Sequence, residues 1–113
     1  MLRGWLLRDG QVLAAAEWAD EFPDRAKGML GHRGYEGAMV LPRTRSIHTL
    51  GVRFPLDVAF LDTDLVVVDT CLVRPWRLTL PRRSGRNVLE AEGGAFERWH
   101  LAKGDRLEFR EAT

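Results

Sequence analysis

The residues best suited to chemistry in this chain of 113 residues are His48 and Asp57, nine positions apart. A histidine can act as a general base, and a carboxylate on a neighbouring strand can orient its ring, as in a nucleophilic triad. Ser46 and Thr49 lie too close to His48 in sequence to supply the nucleophile, and the chain has no Gly-x-Ser-x-Gly elbow. Two interpretations stay open: a catalytic pair, or a structural one in which Asp57 accepts backbone N–H bonds.

Basic side chains flank this pair and suit the binding of anions. The segment 74–86 holds five arginines and Trp76 but no acidic residue. Arginine can fork onto phosphate or carboxylate, and tryptophan can stack on a ring. The alternative is a solvated loop whose arginines pair with Asp69, Glu90 or Glu92. The candidate ligand-binding residues are Arg43, Arg45, His48, Thr49, Arg53, Asp57, Arg74, Trp76, Arg82 and Arg83.

No metal or cofactor site is predicted. The sequence-local set of possible ligands consists of His48, Asp57 and the acids of segment 62–64, and that segment lacks the glycine and terminal glutamate of a calcium loop. The single cysteine, Cys71, cannot form an intrachain disulfide. The closely spaced glycines that begin at Gly28 follow a predicted helix, whereas the glycines of a dinucleotide-binding motif follow a strand and precede a helix. No dinucleotide site is therefore predicted.

Composition narrows the class of protein and its partners. Hydrophobic residues make up 45% of the chain and charged residues 29%, which is typical of a globular protein. The net charge of +1 gives no strong signal for nucleic-acid binding. No apolar run is long enough for a secretory signal or a membrane span, so a cytoplasmic protein is expected. The partner is unknown, with a small anionic ligand and a protein as the two candidates.

The hydrophobic pattern indicates the elements that must position these side chains. Apolar runs on both sides of Asp9-Gly10 predict a tight hairpin. Apolar residues at three- and four-residue steps from Ala19 to Leu30 predict a short amphipathic helix, and a second is expected within 93–101. The predicted strands are 5–7, 12–16, 38–41, 46–52, 56–61, 65–73, 87–92 and 107–109, with a short extended piece at 78–80.

These elements favour an α+β fold, because about seven short strands and two short helices occur without βαβ alternation. We expect a compact β-rich domain with a curved antiparallel or mixed sheet, or a partly open barrel. The strand 56–61 is apolar on both faces beyond Asp57 and should be central. The length fits a single domain over residues 1–113.

Two separated blocks of the sequence resemble the domain of unknown function 192, a family of uncharacterised bacterial and archaeal proteins. The first block, RAKGMLGHRGYEGAMVLPRTRSIHTLGVRFPLDVAFLD, contains an Arg-x-x-Gly helix end, a His-Thr pair and a Phe-Pro-Leu-Asp segment. The second, NVLEAEGGAFERWHLAKGDRLEF, contains a Val-Leu-Glu strand, a helix started by glycine and a Gly-Asp turn. The resemblance implies a compact β-rich α+β fold and supplies no established substrate, cofactor or catalytic residue.

Charge placement leads to the main functional hypothesis. We expect a non-catalytic binding or accessory module that holds an anionic or polar ligand at a cleft rim formed by Arg43, Arg45, His48, Arg53 and the loop Arg74–Arg86. One alternative is a small hydrolase-like or metal-assisted enzyme centred on His48 and Asp57. The other is a protein-interaction domain, which would show an exposed apolar patch or an unpaired strand edge.

Overall fold

The computed structural model describes all 113 residues, which form seven strands and two short helices. In chain order the strands are β1 Leu2–Arg8, β2 Gln11–Trp18, β3 Ala38–Leu41, β4 Leu56–Leu61, β5 Val67–Val73, β6 Asn87–Glu92 and β7 Leu107–Glu111. The helices are α1 Phe22–Lys27, between β2 and β3, and α2 Ala95–Trp99, between β6 and β7. No helix is long and apolar enough to cross a membrane.

All seven strands belong to one mixed sheet with the order β5-β4-β6-β3-β2-β1-β7. Neighbouring strands run antiparallel except β2 and β3, which are parallel. The sheet does not close into a barrel, and its two edge strands meet at one end only, through an isolated bridge between Val66 and Arg106 and a bond from the Gly104 N–H to the Val67 carbonyl. The predicted α+β class is therefore confirmed, in its mixed-sheet form.

The sheet buries apolar side chains on both faces because successive residues of a strand point to opposite sides. In β6, Leu89 and Ala91 pack in one cluster while Val88 packs in the other. We call these clusters the first and the second core. The first core is completed by Phe96 of α2. The second is completed by Met29, after α1, and by side chains of the segment 46–54.

The predicted elements recur in the predicted order, but α1 is shorter than the helix predicted from Ala19 to Leu30, and one predicted strand is absent. The hairpin turns at Asp9 and Gly10, both with positive φ, as a type I′ turn requires. The strand predicted at 46–52 is absent, and only an isolated bridge between His48 and Leu78 forms there.

Local bonding explains this difference. The N–H of Thr49 donates to the Arg77 carbonyl at 2.8 Å, the Thr49 carbonyl accepts from Trp76 at 2.9 Å, and Gly51 turns the chain with a φ of 80°. The segment 46–52 is thus a loop that backbone hydrogen bonds hold against the segment 74–77.

Candidate functional site

A cavity of about 380 Å³ opens on the side of the sheet that carries the second core. Helix α1 and the turn after it form one wall, and the residues that follow β3 form the other. The loop 46–52 and one side chain of β6 complete it. Its lining residues are Phe22, Arg25, Ala26, Lys27, Gly28, Met29, Leu41, Arg43, Thr44, Ser46, Ile47, His48, Val52, Leu56 and Glu90.

Glu90 is the acidic residue of this cavity, and it is buried. It lies in β6 between Val58 of β4 and Met39 of β3, so its side chain shares a face with the second core. Only 2% of the residue is exposed. Its Oε1 has no hydrogen-bond partner, and neither carboxyl oxygen takes part in an ion pair. A buried polar group without a partner costs about 1–3 kcal/mol, so this position calls for a functional explanation.

Burial also changes the ionisation of Glu90. Desolvation raises the pKa of its carboxyl from 4.5 to about 7, because the charged form loses its hydration and gains no partner. Tyr35, which packs at the border of the second core, does not relieve it, since its hydroxyl donates to the Glu17 carboxylate. Burial and this bond raise the pKa of Tyr35. Glu90 can therefore gain or lose its proton near neutral pH.

Gly28 ends α1 directly beside the Glu90 carboxyl. Its backbone has a φ of 50° and a ψ of −124°, a conformation that side chains disfavour. A Cβ at this position would lie 3.2 Å from Glu90 Oε1. The glycine thus lets the chain turn away from the helix and leaves space next to the carboxyl group.

Two guanidinium groups meet at the rim of the cavity without a counter-ion. Arg25 on α1 and Arg43 after β3 both donate to the backbone carbonyl of Asp20, at 2.8 and 3.0 Å. Neither forms an ion pair with a carboxylate. Two like charges that converge on one carbonyl repel each other, and an anion between them would remove that repulsion.

Lys27 and His48 add two more basic groups to the cavity. Both side chains are exposed, and neither forms an ion pair. The Nδ1 of His48 accepts a hydrogen bond of 3.3 Å from the N–H of Leu50. In its neutral form the ring therefore carries its proton on Nε2, which can donate to a ligand.

His48 and Asp57 share neither a cavity nor a hydrogen bond. Asp57 Oδ2 accepts the N–H groups of Gly94 and Phe96, at 2.9 and 3.0 Å, and so satisfies two donors at the start of α2. Asp57 does not line the cavity that contains His48. This placement matches the structural interpretation of Asp57 and separates the two members of the predicted catalytic pair.

Thr49, Arg74 and Trp76 belong to the junction between the loop 46–52 and the segment 74–77. The fully buried hydroxyl of Thr49 donates to the Arg74 carbonyl at 2.6 Å and accepts from the Arg77 N–H at 2.9 Å. The side chains of Arg74 and Trp76 are exposed and lie outside the cavity. Thr49 therefore holds two loops together, and its buried hydroxyl is not available to a ligand.

The remaining predicted arginines do not converge on the cavity. Arg82 pairs with Asp69 at 2.7 Å, one of the pairings expected for a solvated loop, and its guanidinium lies 4.4 Å from the centre of the Phe60 ring. Arg45 lines a separate shallow hollow with Arg43. Arg53 and Arg83 are exposed. Of the ten predicted ligand-binding residues, the cavity contains Arg43 and His48.

Sequence reasoning missed four residues of the cavity: Arg25, Lys27, Gly28 and Glu90. A signal for Glu90 was present, because it stands between Leu89 and Ala91 in a strand that is apolar on both sides. The first three lie at the helix end of one sequence block, and Glu90 lies in the other block. The cavity is where these two blocks meet. No group of three or more His, Cys, Asp or Glu side chains is arranged to hold a metal ion.

A second surface lies along the outer edge of β5. Beyond Val67, this strand pairs with β4 alone. A groove of about 420 Å³ runs between it and the segment 74–82 and includes Arg74 and Arg77. Four large apolar side chains around it are more than half exposed, namely Leu72 at 58%, Trp76 at 65%, Leu78 at 74% and Leu80 at 78%.

The sequence matches a known family and its relatives over most of its length. The family model DUF192, described as "Uncharacterized ACR", matches residues 5–109. The UPF0127 protein PF1050 of Pyrococcus furiosus is 34% identical over 104 residues, which cover 88% of this chain and 90% of that protein. The UPF0127 protein PYRAB11210 of Pyrococcus abyssi is 36% identical over 98 residues, which cover 82% and 84%.

Two solved structures share the fold. A protein of unknown function from Novosphingobium aromaticivorans superposes with a TM-score of 0.72 at 26% identity, over 82% of this chain and 73% of that one. A candidate transcription regulator from Sinorhizobium meliloti superposes with a TM-score of 0.79 at 23% identity, over 96% and 92%. The second likeness is one of fold alone.

Proposed function

This chain belongs to the DUF192 family, and from that premise we propose that it is a non-catalytic binding module whose cavity holds a small organic anion. The family is uncharacterised, so the evidence for this proposal comes from the geometry of the cavity. The observation that carries the proposal is the meeting of Arg25 and Arg43 on the Asp20 carbonyl without any carboxylate partner.

The lining of the cavity suits a small organic anion better than an inorganic one. Its rim is basic, while Met29, Leu41, Ile47, Val52 and Leu56 give its wall an apolar surface. An organic anion can place its charged group at the rim and its apolar body against this wall, which lowers the area of apolar surface in contact with water. Arginine supplies forked donors that fit a carboxylate or a phosphate.

A catalytic role has less support from the same geometry. The nucleophile is missing from the pair His48 and Asp57, and Asp57 is occupied by the two N–H groups of α2. His48 remains in the cavity as a donor to the ligand. Binding without turnover is therefore the function that we assign to this site.

Titration calorimetry with butyrate, hexanoate, butyl phosphate and inorganic phosphate tests this proposal. A ligand at about 100 times its Kd raises the free energy of unfolding by about 2.7 kcal/mol, so a thermal-shift measurement can rank the probes first. We expect an organic anion to bind, and Arg43→Ala to weaken it by roughly tenfold through the loss of a charge-assisted hydrogen bond. Lys27→Ala should weaken it as well.

The matched controls are Arg53→Ala and Arg83→Ala, which remove exposed arginines outside the cavity. Their affinities should equal that of the unmodified protein. The proposal fails if no organic anion binds, or if the control variants lose as much affinity as Arg43→Ala.

A protein partner is the second candidate, and the open edge of β5 favours it. An extended segment can pair with an unpaired strand edge through backbone hydrogen bonds, and apolar pockets beside the edge then select its side chains. Leu72, Leu78 and Leu80 would supply these contacts, and Arg74 and Arg77 favour an acidic segment.

Fluorescence anisotropy with synthetic peptides of alternating valine and glutamate tests this second candidate. Its controls are the same peptide with lysine for glutamate and a peptide with alternate N-methylated amides, which cannot extend the sheet. Binding of the acidic peptide alone, lost in Arg74→Glu/Arg77→Glu, is the expected result. Equal binding of all three peptides would contradict strand pairing at this edge.

A further inference from the structure

Glu90, the buried acid in the wall of the binding cavity, has no hydrogen-bond or ion-pair partner within the protein. Glu90 lines the cavity, is 2% exposed, and has an Oε1 without any hydrogen bond. The side chains around it in the second core, such as Met39, Val58 and Met29, offer no donor. A donor must therefore come from whatever occupies the cavity.

The surroundings of Glu90 argue for an uncharged donor. The cavity already contains the cationic groups of Arg25, Lys27 and Arg43, and these would repel a cationic ligand group that entered between them and Glu90. Burying an ammonium in an apolar wall also costs far more free energy than burying a hydroxyl. A hydroxyl donates one hydrogen bond, which is what Glu90 Oε1 lacks.

We propose that Glu90 accepts a hydrogen bond from a hydroxyl of the ligand, so that the natural ligand is a hydroxylated organic anion. Its anionic group lies at Arg25 and Arg43, and its hydroxyl lies in the buried part of the cavity beside Gly28. The absence of a Cβ at Gly28 leaves room for this contact, because a methyl group there would stand 3.2 Å from the oxygen. This inference rests on the proposed function of the same cavity.

Calorimetry with matched pairs of acids tests the assignment. The probes are butyrate, pentanoate and hexanoate, each compared with the same acid carrying a hydroxyl on its terminal carbon and with the corresponding amino acid. The titrations are run above the pKa of about 7 of Glu90, where its carboxylate is ionised. We expect at least one hydroxy acid to bind roughly tenfold more tightly than its unsubstituted partner, as one hydrogen bond to a charged group provides.

The variant Glu90→Met removes both carboxyl oxygens and keeps a side chain of similar size. It should fold, because it replaces an unpartnered polar group by an apolar one, and it should bind the hydroxy acid and the plain acid equally. Glu92→Gln, on the same strand but outside the cavity, is the control and should keep the preference for the hydroxy acid.

Each other outcome overturns a defined part of the argument. Equal binding of hydroxy and plain acids by the unmodified protein would overturn the role of Glu90 and leave the anion site intact. Tighter binding of the amino acids would overturn the choice of a hydroxyl. A preference for the hydroxy acid that persists in Glu90→Met would place the hydroxyl elsewhere. If no acid binds, and butyl phosphate and inorganic phosphate do not bind either, both the proposed function and this inference are overturned.

Discussion

A carboxyl group in an apolar environment makes the stability of this protein depend on pH. The pKa of Glu90 is raised from 4.5 to about 7, so the folded protein binds a proton more tightly than the unfolded chain does. The stabilising contribution of this proton is complete below pH 4.5 and is lost as the pH rises to about 7.

We expect the free energy of unfolding to fall by about 3 kcal/mol across that pH window through Glu90 alone. Glu90→Gln, which cannot ionise, should remove this part of the slope, while Glu36→Gln, an exposed control, should keep it. Urea denaturation of the three proteins over a range of pH is the measurement. Parallel curves for the unmodified protein and Glu90→Gln would contradict the raised pKa.

Gly28→Ala tests the space beside Glu90. The new methyl group combines a disfavoured backbone conformation with a close approach to Oε1, and the variant should lose about 1–3 kcal/mol of unfolding free energy. Gly10→Ala is the matched control, because Gly10 also has a positive φ, of 76°, but has open space around it.

Both alanines impose backbone strain, but only the one at residue 28 narrows the cavity. We therefore expect organic-anion affinity to fall in Gly28→Ala alone. An equal loss of affinity in both variants would show that the space beside Glu90 does not matter for binding.

At the level of single residues, the sequence pointed to two basic residues of the cavity and missed two other basic residues, a glycine and the buried acid. Arg43 and His48 could be identified because basic residues cluster beside a His-Thr pair. A signal for Glu90 was present, as an acid between two apolar residues of a strand, but its place beside Gly28 could not be predicted, because the two residues are 62 positions apart in sequence and meet only in the folded chain. Asp57 was recognised as important, and its two N–H partners in α2 give it a structural task.

Among the secondary-structure elements, α2 depends on Asp57, because this carboxylate fixes the start of the helix. Asp57→Ala removes the acceptor of two N–H groups and should cost about 1–2 kcal/mol, as the loss of a helix cap does. Asp64→Ala, in an exposed turn, should have little effect. Chemical denaturation measures both.

The same pair of variants also tests the catalytic alternative. Below its unfolding temperature, Asp57→Ala should bind organic anions as the unmodified protein does, because Asp57 lies outside the cavity. A loss of binding without a loss of stability would revive a direct role for Asp57.

Thr49→Val tests how the loop 46–52 is held. Valine keeps the shape of the side chain but cannot donate to the Arg74 carbonyl or accept from the Arg77 N–H, and we expect a loss of about 1–3 kcal/mol. Hydrogen exchange at the Arg77 amide should become faster. Thr70→Val, on the exposed edge of β5, is the control and should change neither quantity.

The strands at 38–41, 56–61 and 87–92 could be predicted to the residue because apolar side chains occupy both of their faces. The segment 46–52 has a similar pattern but forms a loop. Its apolar residues, Ile47 and Val52, pack into the second core, while its backbone groups bond to a loop that is distant in sequence. Local pattern alone does not distinguish these two ways of burying apolar residues.

In the molecule as a whole, the strand β6 lies inside the sheet between two strands that both precede it in sequence. It pairs with β4 on one side and β3 on the other, and it contributes to both cores. The sequence order of the strands therefore gives little guide to their order in the sheet.

A fragment of residues 1–86 should fail to fold, because β3 and β4 would each lack a partner and the two cores would lose Val88, Leu89 and Ala91. Circular dichroism and urea titration of the fragment should show no cooperative transition. Addition of a peptide of residues 87–113 should restore the cooperative transition. A fragment that unfolds cooperatively by itself would contradict this prediction.

Because β6 follows both of its neighbours in sequence, its position also affects how the chain folds during its synthesis on the ribosome. While β6 has not yet been synthesised, the edges of Ala38–Leu41 and Leu56–Leu61 that it will join have no partner. The nascent chain must keep these two apolar strands apart until β6 is available to pair with both. A chain in which β6 has not yet formed therefore exposes two apolar strand edges that can pair with other chains, and a chaperone that covers these edges would prevent such aggregation.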